Sequence, residues 1–474
     1  MALSRSVRRS SRWLALATAV ASAATIAAAP AASPGAPGIG DPYFPDLGNG
    51  GFDALHYDLG VSYHPDSGRL DGRTTLTARA TQNLSAFDLD LQQLTVDAVR
   101  VNGRRAHFAR SGDEIAVTPD FRLAKGRKFT VTVAYHGVPK PLSGPIVFGS
   151  DYGWMKTKDG VFVACEPNAA STWFPSSDHP SDKATYDIRI DAPKGLTGVS
   201  NGRLIGSGEA HGRSYAHWRE ARPMATYLAT ATIGKFDVRT GTTPGGTPIY
   251  VATDPTLPTG EVDVYGITAE ATDYWSKVFG PYPFEETGAI VDDMPQAGFS
   301  LEVQSKPVYS AVRNETTIVH ELAHQWFGDS VSVKQWKNIW LNEGFASYAQ
   351  WLWDEHRGTR SAHDAFRKQY AGVPADNDFW KVKVGDPQRD TMFANAVYKR
   401  GAMTLQALRE RIGDKAFFKL LPAWTSAHRY GTAETSQFIA LAEKISGQQL
   451  DDLFHTWLYT DTRPALPDGK QSPK

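Results

Sequence analysis

Apolar and polar positions alternate through the first half of the chain. Residues 75–80 (TLTARA) and 129–135 (FTVTVAY) switch at nearly every step. A period of two marks strands with one face buried and one face wet. Glycine and proline recur at short intervals. Asn102-Gly103, after Val99-Arg100-Val101, has the chemistry of a tight hairpin turn. Residues 41–243 are therefore expected to form an all-β domain, a sandwich or saddle of antiparallel sheets. The stretch 240–246 (TGTTPGG) is the expected seam.

Beyond it the period lengthens. Residues 261–279 have helical spacing, whereas 289–292 (AIVD) and 301–304 (LEVQ) resemble strands of a small sheet. From Asn314 onward the pattern is mostly helical. Leu405, Leu408 and Ile412 recur on one face that Gly413 ends, and Phe417, Leu420, Leu421 and Trp424 mark another. Phe438, Ile439, Leu441 and Ile445, then Leu450, Phe454 and Trp457, continue the series. These stripes are core packing. The expected fold class is α+β multidomain, with the β domain followed by a mostly helical domain over 244–460 and a loose polar tail over 461–474. No internal repeat of fixed period is visible.

Composition narrows the function. A length of 474 residues exceeds one ordinary core. The balance of 50 basic against 51 acidic residues argues against a nucleic-acid partner. Four arginines (Arg5, Arg8, Arg9, Arg12) precede an alanine-rich apolar run over 13–29, and small residues and proline follow to 38. Residues 1–32 read as a secretory signal peptide with an unfixed cut between Ala27 and Ala32, implying a secreted protein. A transmembrane anchor is the alternative, but the run is short and alanine is only weakly apolar. Removing the segment takes the formal charge from −1 to −5, which gives no reason for binding an anionic membrane. No later run of 18 apolar residues exists, so no membrane span is expected after signal removal. The single cysteine, Cys165, excludes an intramolecular disulfide and reads as a small buried apolar residue.

The chemistry concentrates in His320-Glu321-Leu322-Ala323-His324. On a helix, residues four apart share a face, so both imidazoles can bind one metal ion with Glu321 beside them. Glu343 follows His324 after the 18 residues from Gln325 to Asn342. Two histidines and a glutamate make a three-ligand zinc set with one position left for water. Glu321 is not a ligand and can take a proton from that water and pass it to a leaving amine.

These residues carry a resemblance. HELAHQWFGD at 320–329 with WLNEGFASY at 340–348 resembles the aminopeptidase N family of gluzincin zinc peptidases, which includes leukotriene hydrolase. Weaker matches follow in family order: His56-Tyr57-Asp58-Leu59, the block from Cys165-Glu166 through Phe174-Pro175, Asp178-His179-Pro180 and Lys183-Ala184-Thr185, then Gly298-Phe299-Ser300-Leu301-Glu302, and Val397-Tyr398-Lys399-Arg400-Gly401-Ala402.

The resemblance implies a thermolysin-like catalytic domain, one zinc per chain, and peptide substrates with a free N-terminus. It assigns Tyr398 as donor to the oxyanion, and Glu302 and Glu166 as anchors for the substrate ammonium. Asn342 reads either as a partner of the His324 ring or as a cap at the helix entry. Two departures stand out. The family's G-A-M-E-N motif reads Gly298-Phe299-Ser300-Leu301-Glu302-Val303, and the long C-terminal helical domain of many members has no counterpart in this sequence. An endopeptidase, an epoxide hydrolase or an inactive binding module are the competing readings. N-terminal blocking of substrate and a metal assay separate them.

Overall fold

The alternating residues of the first half line an eight-stranded sheet. Arg69–Ala80 buries Leu70, Leu76, Ala78 and Ala80, and its neighbour Lys128–Gly137 buries Phe129, Val131, Val133 and Tyr135. The two pair antiparallel with Leu76 opposite Val131. Asn102 (φ 49°) and Gly103 (φ 77°) make the expected turn, closed by Val101 opposite Arg104. The sheet is mixed, not antiparallel throughout. Phe52–His64 lies parallel to Ala184–Pro193, because the long segment between them allows a crossover.

The computed structural model describes residues 1–2, 31–147, 149–258 and 262–466. The expected signal peptide falls almost wholly on residues 3–30, outside those described. From Ala32 onward the described residues pack as one unit, and everything below lies within it.

A five-stranded sheet contains Val161–Ala164, buried at every position, which delivers Cys165 and Glu166 at its end. Cys165 is fully buried, and burial pushes its thiol pKa up. A second five-stranded sheet belongs to the catalytic half and runs Asp237–Thr242, Pro248–Thr253, Thr287–Val291, Val308–Tyr309, Ser300–Leu301. The expected seam at 240–246 thus falls within the first hairpin of this sheet, where Thr243 N–H donates to the Thr247 carbonyl at 2.8 Å. The threonines and glycines serve a turn, and the chain changes sheets between Gly234 and Asp237.

The helices follow the predicted faces. Among the described residues they are α1 (Val264–Val278), α2 (Glu315–Ala323), α3 (Trp340–His356), α4 (Ala362–Ala371), α5 (Asn395–Ile412), α6 (Asp414–Ala427), α7 (Thr435–Ser446) and the short α8 (Asp451–Phe454). Asn314 caps α2 by accepting from Thr317 N–H at 2.9 Å, and Gly413 (φ 80°) ends α5 in a conformation that favours glycine. Among the described residues no helix is long and apolar enough to cross a membrane.

Buried polar joints tie the two halves together. Asp41 Oδ2 accepts from Trp336 N–H at 2.8 Å and lies 3.1 Å from His179 Nε2. Lys183 Nζ donates to the carbonyls of Asp329 (2.6 Å), Ser330 (3.1 Å) and Gly431 (3.5 Å). The tail was expected to be loose, yet its first residues are docked. Arg463 donates to the Tyr370 carbonyl at 2.8 Å, and the Pro464 carbonyl accepts from Tyr370 Oη at 2.7 Å. Residues 467–474 lie outside those described.

Candidate active site

Helix α2 presents His320 and carries the chain straight into His324, one turn on. Helix α3 brings Glu343 from the other side. His320 Nε2 and His324 Nε2 are 3.2 Å apart, and Glu343 Oε2 lies 3.3 and 3.4 Å from them. A tetrahedral zinc with bonds of about 2.0–2.1 Å places its ligand atoms about 3.3–3.4 Å apart. The donor triangle therefore has the size that zinc requires.

The tautomers suit the same ion. His324 Nδ1–H donates to the Phe327 carbonyl at 2.9 Å, which leaves the Nε2 lone pair facing the triangle. This corrects the expected role of Asn342. A backbone carbonyl holds the ring, and the buried Asn342 amide has no hydrogen-bond partner among the described residues. Burial pushes the His320 pKa down to about 4, which keeps it neutral as a ligand must be. Burial works against charge on His324 and Glu343 alike, but Glu302 and Glu343 raise the His324 pKa well above the usual imidazole range, and that cation in turn holds the Glu343 pKa at about 2. A bound metal would take the place of the His324 proton.

Three further carboxylates crowd this centre. Ligand atoms of Glu302, Glu321 and His324 lie within 4.8 Å of one another. Burial raises the Glu321 pKa well above the usual range; His324 opposes that shift and Glu302 and Glu343 add to it. Glu166 Oε1 is shut off from solvent without a partner, and burial followed by Glu302 and Glu343 raises this carboxyl as well. Four carboxylates in one buried space call for cations. A divalent metal supplies two of the positive charges that such a cluster needs.

The Tyr398 ring stacks against His320, with centroids 6.1 Å apart and planes 18° apart. A cleft of about 370 Å³ opens beside it, lined by Thr317, His320, Glu321, Ser347, Tyr398 and Lys399 among others. The structure thus gathers Glu166, Glu302, His320, Glu321, His324, Glu343 and Tyr398 around one centre, with Asn342 in the adjoining packing.

Gln325 was not foreseen. Residues 301–304 were expected to be a strand, but the strand stops at Leu301. Gln325 takes over the hydrogen bonding: its Nε2 donates to the Glu302 carbonyl at 3.1 Å, and its Oε1 accepts from Ser305 N–H at 2.6 Å. Ser305 has φ 69°, so the loop turns where a ladder would have continued. The only hint in the sequence is that Gln325 directly follows His324.

Comparison with known proteins gives a consistent result. Residues 53–228 match the profile of the Peptidase M1 N-terminal domain, and 296–457 match the Peptidase family M1 domain. The crystal structure of an M1 zinc metallopeptidase from Deinococcus radiodurans aligns with a TM-score of 0.84 at 29% identity, covering 92% of this chain and 100% of that one. A variant of that enzyme bound to a Tyr-Ser-Ala substrate aligns equally well (TM-score 0.84, 29% identity, 91% and 99% covered). Aminopeptidase N of Lactobacillus helveticus is 25% identical over 451 residues, covering 88% of this chain and 52% of the relative. Human glutamyl aminopeptidase is 25% identical over 453 residues, covering 87% and 47%. The chain spans about half the length of these two relatives.

Proposed function

The chain belongs to peptidase family M1, and on that premise we propose that it is a zinc aminopeptidase that removes single residues from the free N-terminus of peptides. The observation that carries this reading is the donor triangle of His320, His324 and Glu343 set among three more carboxylates.

His320, His324 and Glu343 would hold the zinc. When bound, zinc polarises a scissile carbonyl and lowers the pKa of a water to roughly 7. The protein does the rest. Glu302 and Glu166 receive the substrate ammonium and set the register, so that the first peptide bond meets the metal. Glu321 takes the proton of the attacking water and returns it to the departing amine. The Tyr398 hydroxyl donates to the carbonyl oxygen as negative charge builds there. Burial of Glu302, Glu321 and Glu343 excludes bulk water and strengthens these interactions. The solved relative with a bound tripeptide supports peptides as the substrate class.

Export belongs to the same proposal. It is supported by the arginines and the alanine-rich run before residue 32. N-terminal sequencing of protein from the culture medium is expected to begin between residues 28 and 33.

The activity is tested with aminoacyl reporter substrates, with and without a strong chelator, and with one peptide in free and N-acetylated form. Chelator-sensitive cleavage of only the free form is expected. Equal cleavage of both forms would make the protein an endopeptidase.

A further inference from the structure

A second cavity adjoins the first, and its charged side chains are mainly basic. It measures about 340 Å³ and lies between α2, α3, α4 and α5. Gln350 and Lys399 line both cavities, so the second continues the cleft. Arg360, Lys368 and Lys399 face Asp354 alone among its lining residues, which leaves it net positive.

The cations have spare capacity. Arg360 pairs with Asp354 through Nη2 at 2.6 Å, but its Nε is buried with no hydrogen-bond partner among the described residues. Lys399 is half-buried and makes no hydrogen bond or ion pair among the described residues. Burial first, and then Arg360, lower its pKa. Two cations sharing a half-buried wall, one with an unused N–H, are a site for an anion.

The cleft therefore has a polarity along α2. Gln325, past the C-terminal end of α2, grips the Glu302 loop, so the acidic seat for an ammonium lies at that end. The basic cavity begins at Thr316, in the first turn. Thr316 precedes Glu321 by five residues, about 7.5 Å along the axis. When a tripeptide is cut after its first residue, the two residues beyond the bond span about 6.6 Å if extended. A carboxylate at the end of such a peptide reaches this cavity.

We infer that the second cavity is a carboxylate subsite, with Lys399 and Arg360 as recognition groups, and that it selects short peptides by their C-terminal end. The inference rests on the aminopeptidase reading above. A carboxylate on a substrate side chain has the same chemistry, and the test separates the two sources.

The experiment uses the zinc-loaded Glu321→Gln protein and measures affinity by calorimetry for trialanine, trialanine amide and Ala-Ala-Asp amide. Trialanine is expected to bind at least about tenfold tighter than its amide, as charge-assisted bonds require. Tight binding of Ala-Ala-Asp amide alone would identify a side chain as the source. Equal affinities for all three overturn the subsite. Lys399→Gln and Arg360→Gln are each expected to bring the acid-to-amide ratio towards one, and a ratio unchanged in both overturns the assignment. Arg360→Gln strands Asp354 and risks misfolding, whereas Lys399→Gln strands no partner. Wild-type cleavage of an aminoacyl reporter, which has no terminal carboxylate, tests the aminopeptidase reading separately.

Discussion

Gly344 of α3 and Gly401 of α5 meet backbone to backbone. A Cβ on Gly401 would come within 2.8 Å of the Gly344 Cα, and one on Gly344 within 3.0 Å of the Gly401 Cα. This crossing holds Glu343 and Tyr398 against the same metal site. Gly401→Ala must push the helices apart, because the obstacle is backbone and cannot rotate away. The expected cost is about 1–3 kcal/mol of stability, with a larger fall in kcat as Tyr398 moves away from the carbonyl. Thermal unfolding and steady-state kinetics check this together. An unchanged Tm would show that the helices slide freely.

Glu321 and Tyr398 should act on turnover without affecting metal content. Glu321→Gln is expected to keep one zinc per chain, read by elemental analysis, and to lose about 10²–10⁴ in kcat. Tyr398→Phe is expected to lose about 10²–10³ in kcat with little change in KM. Loss of zinc from either variant would mean the residue supports the ligands and not the reaction.

Glu302→Gln removes a charge and keeps the shape. If Glu302 seats the ammonium, kcat/KM should fall at least about tenfold for free peptides. Glu166→Gln should act in the same direction. Parallel assays with free and N-acetylated peptide show whether the loss follows the amine. A loss shared equally by both peptides would remove Glu302 from amine recognition.

Stability should depend on pH through Glu220, which is not among the proposed metal ligands. This carboxyl is buried, and burial, with Glu285 adding and Arg222 N–H and Lys306 opposing, raises its pKa to about 8. A carboxyl that binds its proton more tightly in the folded state contributes stability at low pH and loses it as pH rises from about 4.5 to about 8. Glu220→Gln has no such proton. Its unfolding free energy relative to wild type should therefore increase between pH 5 and pH 8.5. A difference that stays constant over that range would assign the titration elsewhere.

The parts of the site readable from sequence are those set by local periodicity. His320 and His324 are one helical turn apart, so their convergence needed no knowledge of the fold. Glu343 was readable as a third ligand from its offset past His324, whereas Tyr398 required the family pattern, because its approach to the site depends on the α3–α5 crossing. Asn342 was misplaced because Phe327, only three residues from His324, offers a backbone carbonyl that no side-chain pattern reveals. The end of the strand at Leu301 was hidden for a similar reason: its partner is the Gln325 side chain, not another strand. The basic cavity draws on residues 316, 354, 360, 368 and 399, too scattered to form a motif.

Lys183 ties the β half of the chain to the backbone just past the metal-ligand triangle. Its ammonium is buried, with its pKa pushed down to about 7, and all three of its hydrogen bonds go to carbonyls of the catalytic half. Two of those carbonyls, on Asp329 and Ser330, lie just past His324, while Lys183 belongs to the same half as Glu166. The β half, which carries Glu166, is thus bolted to the half that carries the metal-ligand triangle and Glu302. For the proposed aminopeptidase, these three hydrogen bonds act as the lock of a caliper, holding Glu166 at a set distance from the metal ligands.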